Sequence, residues 1–137
     1  MVNLPAKYQG VMNYTIEKSD EYSLIKTDLT ALDKSTAQKL IEKVRHEVAS
    51  SSKYVIVNIS GVKDCNAEAT RELINLGIEL QEHSGMLIIT EAEDSFTRLF
   101  SKADITFIPT DVEAVDFVFM DQLEKQFLNM NEERSQA

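Results

Sequence analysis

A 137-residue chain with 43% hydrophobic and 27% charged residues has the balance of one folded domain, and that length buries a core without help from disulfides or metals. A formal net charge of −9 and an isoelectric point near 4.7 set up a surface field that repels phosphate backbones and anionic membranes, so no nucleic acid is expected as a partner. The single cysteine, Cys65, has no second thiol with which to form an internal disulfide or a zinc site. No apolar run reaches the roughly 20 residues of a bilayer span, and Met1–Lys7 lacks the charged-then-apolar layout of a signal peptide. A cytoplasmic protein is expected.

In chain order, Tyr14–Thr27 reads as two strands joined by a polar turn at Ser19-Asp20-Glu21. Ser35 and Gln38 have the spacing of a capping box, and Ala37, Leu40, Ile41, Val44 and Val48 follow at helical intervals to an end near Ser50–Ser52. Tyr54–Ile59 is β-branched and apolar on both alternating faces, the pattern of a central parallel strand covered on two sides. A loop from Ser60 to Cys65 then reaches Asn66, a good N-cap, and Ala69, Leu73, Leu76 and Leu80 mark the buried stripe of a second helix. Gly85 is placed to supply the left-handed residue that stops it.

Met86–Thr90 is another short buried strand, and Thr90 with Glu93 forms a second candidate capping box before Phe96, Leu99, Phe100 and Ala103. Ile105–Ile108 repeats the strand pattern and Pro109 ends it. Thr110 with Glu113 then opens a helix through Val115, Val118, Phe119 and Leu123. From Asn129 the chain is polar and expected to fray. This order predicts an α/β fold: a single mixed, mostly parallel sheet of about five strands with four helices. Residues 1–128 make one domain and 129–137 a polar tail.

Candidate chemistry is sparse. The four glycines, Gly10, Gly61, Gly77 and Gly85, are too scattered for a phosphate-binding loop. His46 and His83 sit at polar positions near helix ends, where solvated side chains are expected. Glu91, Glu93 and Asp94 suit the first turn of a helix through its dipole as well as they suit a metal. Cys65 lies before a helix start, where thiolate is favoured, but no histidine near it in sequence can serve as its base. Phe96 and Phe100 are spaced to pack inward. No catalytic residue, cofactor or metal is therefore expected.

The segment Tyr54-Val-Ile-Val-Asn-Ile-Ser-Gly-Val62 resembles the signature strand and turn of the STAS domain family, which includes the bacterial anti-sigma factor antagonists, and the element order agrees over residues 14–127. In that family the turn leads, after three residues, to an Asp-Ser-Ser-Gly type motif at the start of the next helix. Its first serine is phosphorylated by a partner kinase that is itself an anti-sigma factor. Counted from Val62, Lys63-Asp64-Cys65 fill the spacer and Asn66-Ala67-Glu68-Ala69 fall on the motif. Counting back from Gly85 and Leu73-Ile74 gives the same register. A second register sets Asp64-Cys65-Asn66-Ala67 on the motif at the cost of a two-residue insertion. Neither supplies a serine or threonine at the phosphorylation position, which in the gapless register is Ala67. Glu68 places a fixed negative charge beside it, and Thr70 is the nearest hydroxyl after it.

The resemblance implies a non-catalytic interaction module that binds an anti-sigma factor or related regulator, without the family's serine switch. The implied partner surface comprises Val62, Lys63, Asp64, Cys65, Asn66, Ala67, Glu68, Thr70 and Arg71. Two alternatives stand beside it. One is an accessory subunit of a larger complex such as a transporter ATPase; the other is a small-ligand sensor or enzyme using the Asp64–Asn66 loop, at the strand ends where open α/β sheets bind ligands.

Overall fold

The computed structural model describes residues 13–50, 53–101 and 103–135. The stretch Met1–Lys7 and the helix end expected at Ser51–Ser52 lie outside them. Strands β1 (Tyr14–Lys18) and β2 (Tyr22–Thr27) form the antiparallel hairpin, closed by the Ser19 hydroxyl, which accepts from the amides of Glu21 and Tyr22 at 3.1 and 3.2 Å. There follow β3 (Ala31–Leu32), α1 (Lys34–Ser50), β4 (Tyr54–Asn58), β5 (Asp64–Cys65), α2 (Ala67–Glu82), β6 (Met86–Thr90), α3 (Asp94–Arg98), β7 (Thr106–Ile108) and α4 (Asp111–Ser135). The main sheet runs β1-β2-β4-β6-β7, parallel except at β1. The two-residue strands β3 and β5 pair separately. They are too short to show a period in sequence.

Alternation along the strands divides the core. Val55 and Val57, with Ile25, Leu87 and Ile89, point to the side holding α1, α2 and the phenylalanines of the α3 region. Tyr54 and Ile56, with Leu24 and Ile88, point to α4. Every residue of β4 is buried, as expected of a central strand with both faces covered. Each such aliphatic side chain contributes about 1.5–3 kcal/mol by leaving water. Phe96, Phe100 and Phe107 pack on one another at centroid distances of 5.0 to 6.2 Å.

The helix ends depart from the sequence reading at three points. The residue capping α1 is Asp33, not Ser35: its carboxylate accepts from the Thr36 amide at 2.8 Å, while the Thr36 hydroxyl accepts from the Asp33 amide at 2.8 Å. At the end of α2 the left-handed residue is Ser84, with φ 61°, while Gly85 donates to the Leu80 carbonyl at 2.7 Å and leaves room for the Lys53 carbonyl, which a Cβ would meet at 2.5 Å. Thr90 caps nothing. It ends β6 with its hydroxyl on Asp111, and α3 is a single short helix from which Leu99 emerges exposed.

Helix α4 starts as expected, with the Thr110 hydroxyl accepting from the Glu113 amide at 3.2 Å, and runs on to Ser135, past the boundary at 128. Ala114 and Val118 pack on the sheet. Polar pins on that same side hold it. The Asp111 carboxylate accepts from Asn58 Nδ2 at 2.9 Å and from the Thr90 hydroxyl at 2.5 Å. Further along, the Tyr54 hydroxyl donates to Asp121 at 2.6 Å and accepts from Lys125 at 3.0 Å. Burial, reinforced by the Asp121 carboxylate, raises the Tyr54 pKa and keeps that donor protonated.

Candidate functional site

The carboxyl ends of β4 and β6 point toward one edge of the molecule, where the loop from β4 to α2 is built from the core outward. Ile59 and Val62 are each 1% exposed, and the Val62 amide closes a tight turn on the Ile59 carbonyl at 2.9 Å. Beside Gly61 runs the Leu29 carbonyl, 3.1 Å from where a Cβ would stand. The Lys63 amide donates to Thr30 at 2.8 Å and the Asn66 amide to Leu32 at 3.0 Å. Paired in parallel, β3 and β5 set Ala31 against Asp64 and Leu32 against Cys65. The loop is thus laced to the segment leading into α1.

Asn66 caps α2, its side-chain oxygen accepting from the Ala69 amide at 2.9 Å, which satisfies one of the orphan donors of the helix start. Ala67 is the first residue of α2 and is exposed, as are Glu68 and Arg71 on the following turn. The Thr70 hydroxyl donates to the Asn66 carbonyl at 2.9 Å and lies 3.4 Å from Cys65 Sγ. Burial pushes the Cys65 thiol pKa up, against the opposing hydrogen bond from Thr70. A half-buried, protonated thiol is a poor nucleophile.

Of the nine residues read from sequence, Lys63, Asp64, Asn66, Ala67, Glu68 and Arg71 form an exposed strip, and Cys65 and Thr70 are half-buried within it. Val62 is corrected: it belongs to the core and shapes the loop from beneath, so it offers a partner no surface. Residues from two other loops join the strip. Asp33 reaches it through the β3–β5 pairing, and Glu93 through an ion pair with Lys63 at 2.5 Å. Their sequence separation hid both from a reading of local spacing.

Beneath the loop, the void bounded by Leu32, Leu40, Ile59 and Leu73 measures about 10 Å³, barely the room of one water. A shallower groove of about 360 Å³, lined by Ile89, Ala92, Thr97 and Phe107 among others, opens beside the β6–α3 turn. Among the described residues no group of three or more His, Cys, Asp or Glu side chains could hold a metal ion. No helix among them is long and apolar enough to cross a membrane.

A five-stranded sheet with one antiparallel edge, three helices on one face and a long helix on the other, superposes on known structures. The anti-sigma factor antagonist SpoIIAA in its unphosphorylated form matches with a TM-score of 0.63 over 77% of this chain and 97% of its own, at 16% identity. The fold is STAS-like. An anti-sigma factor antagonist from Mycobacterium paratuberculosis matches this STAS-like chain at TM-score 0.62 and 18% identity, covering 80% of this chain and 96% of its own. For a variant of RsbS from Moorella thermoacetica the values are 0.63, 19%, 82% and 97%. No protein-family model and no curated protein sequence matches the chain.

Proposed function

We propose that this chain is a non-catalytic regulatory module that binds a protein partner, of the anti-sigma factor type, through the strip from Lys63 to Arg71. The observation that carries this reading is the exposed, rigidly capped start of α2. Backbone hydrogen bonds to Thr30 and Leu32 and the Asn66 cap hold the strip in one geometry, so little ordering entropy is lost on binding. The void beneath the strip is too small for a ligand, and its one thiol is held protonated. Likeness to antagonists of anti-sigma factors supports the partner class.

Regulation by phosphate at α2 is not part of this reading. A phosphoserine at the first helical position would add about −1.5 to −2 charge, and Ala67 cannot accept one. Glu68, the next residue, carries a permanent charge that the helix dipole accommodates.

The test is calorimetric titration of the chain against the anti-sigma factor kinase of its own cell, identified by affinity purification. Asp64→Lys and Glu68→Lys should each weaken binding about tenfold or more while circular dichroism shows the fold unchanged. With ATP present, no label should enter residues 60–72, and Ala67→Ser should gain it. Affinity indifferent to both charge reversals would remove the strip from the interface, and label on residues 60–72 of the unaltered chain would restore the phosphate switch.

A further inference from the structure

Helix α4 has two apolar faces: the fold covers one and touches the other only where the Phe119 ring meets Tyr22 edge-on, at 6.3 Å between centroids. Opposite the side pinned by Asp111, Ala114, Val118 and Asp121, the side chains of Val112, Phe119, Met120, Leu123, Phe127 and Met130 stand 73, 41, 66, 61, 63 and 55% exposed. Scattered apolar residues on a surface are ordinary, but six along one helical stripe are not. At 3.6 residues per turn, Val112, Phe119, Leu123 and Met130 fall on one line about 27 Å long, with Met120 and Phe127 beside it. The polar pins keep α4 from turning this face inward.

We infer that two copies of this chain pair through the outward face of α4, antiparallel, about a two-fold axis passing beside residue 121. The seam advances by alternate steps of four and three through Val112, Asp116, Phe119, Leu123, Gln126 and Met130, the spacing of a helix that packs on another helix. Antiparallel pairing about residue 121 matches the seam to itself: Val112 meets Met130, Phe119 meets Leu123, and the one charge, Asp116, meets the Gln126 amide. Parallel pairing sets Asp116 against Asp116. Glu113 and Glu124 lie to one side of the seam, exposed, where they keep their water.

The six side chains, 41 to 73% exposed, present on the order of 600 Å² of apolar surface per copy, so pairing removes at most about 1,200 Å², the lower end of a specific interface. A reversible dimer follows. Because each copy carries a net charge of −9, salt screens their repulsion and strengthens the pair. A basic amphipathic helix docked on the same stripe would instead weaken with salt.

Sedimentation velocity of the full chain from micromolar to millimolar concentration, at low and high salt, tests this. A concentration-dependent dimer that tightens with salt is expected, and Leu123→Gln or Phe127→Lys should weaken it about tenfold or more. Both side chains are exposed, so circular dichroism and the thermal melt of these variants should match the parent. In a Cys65→Ser background, Asp116→Cys combined with Gln126→Cys should link two copies on oxidation, whereas Asp116→Cys alone should not. A monomer at every concentration, a dimer indifferent to the stripe variants, linkage through Asp116→Cys alone, or a monomer that takes up a basic amphipathic peptide would each overturn the proposal.

Discussion

Glu47 shows how one residue ties a sheet edge to a helix. It is 1% exposed, yet Lys18 of β1 lies 2.6 Å from its Oε2 and Lys43 lies 3.5 Å from its Oε1. Burial opposes its ionisation, but the hydrogen bond and charge of Lys18, joined by Lys43, outweigh it and hold the pKa below the ordinary 4.5. A carboxylate whose pKa is lower folded than unfolded adds stability that is complete above the unfolded value and is lost as pH falls through the folded one. Urea melts of Glu47→Gln should therefore show a loss of about 2 kcal/mol at neutral pH that shrinks once the pH drops below 4.5. A gap that stays constant into strong acid would contradict this account. The helical spacing of Val44 and Val48 hints that position 47 faces inward, but nothing local indicates Lys18, which arrives through the fold.

At the scale of elements, the two ends of α2 carry separate lessons. Ser84 occupies a left-handed conformation that costs an L-residue roughly 1–2 kcal/mol, so Ser84→Gly should raise the thermal midpoint by the equivalent of about 1 kcal/mol. Within the helix, a Cβ on Gly77 would come within 2.7 Å of the Asp104 carbonyl and 2.9 Å of Ile105 Cγ1. Gly77→Ala should thus push α2 off the chain entering β7 and cost about 1–3 kcal/mol, read as a lower urea midpoint. Sequence signals located Asn66 and Thr110 as caps, because in both the donor three residues on is the one the side chain meets. They misplaced the cap of α1, since Asp33 and Thr36 form the same box two residues earlier. For α4 the ambiguity was physical: with apolar residues on both sides, periodicity cannot say which side the sheet takes. Asp111 and Asp121 decide it by reaching Asn58, Thr90 and Tyr54.

For the whole molecule, charge separates the two surfaces proposed above. The strip at the strand ends is bordered by Asp33, Asp64, Glu68 and Glu93 against Lys63 and Arg71, an acidic rim that suits a basic face on the proposed partner. Association with that partner should slow as ionic strength rises, whereas pairing of two copies should tighten. Stopped-flow rates for the first and sedimentation for the second, across one salt series, should move in opposite directions. Equal slopes would mean that one surface serves both roles.

The sequence by itself determined the alternation of strands and helices, the central place of Tyr54–Asn58, the cap at Asn66 and the alanine at the start of α2, because each rests on contacts or preferences within a few residues. Tertiary structure decided what those contacts could not reach. The β3–β5 pairing brings Asp33 to the strip, the core claims Val62, and pins on β4 and β6 choose the face of α4. Each joins residues far apart in the chain, whose proximity exists only once the sheet has formed.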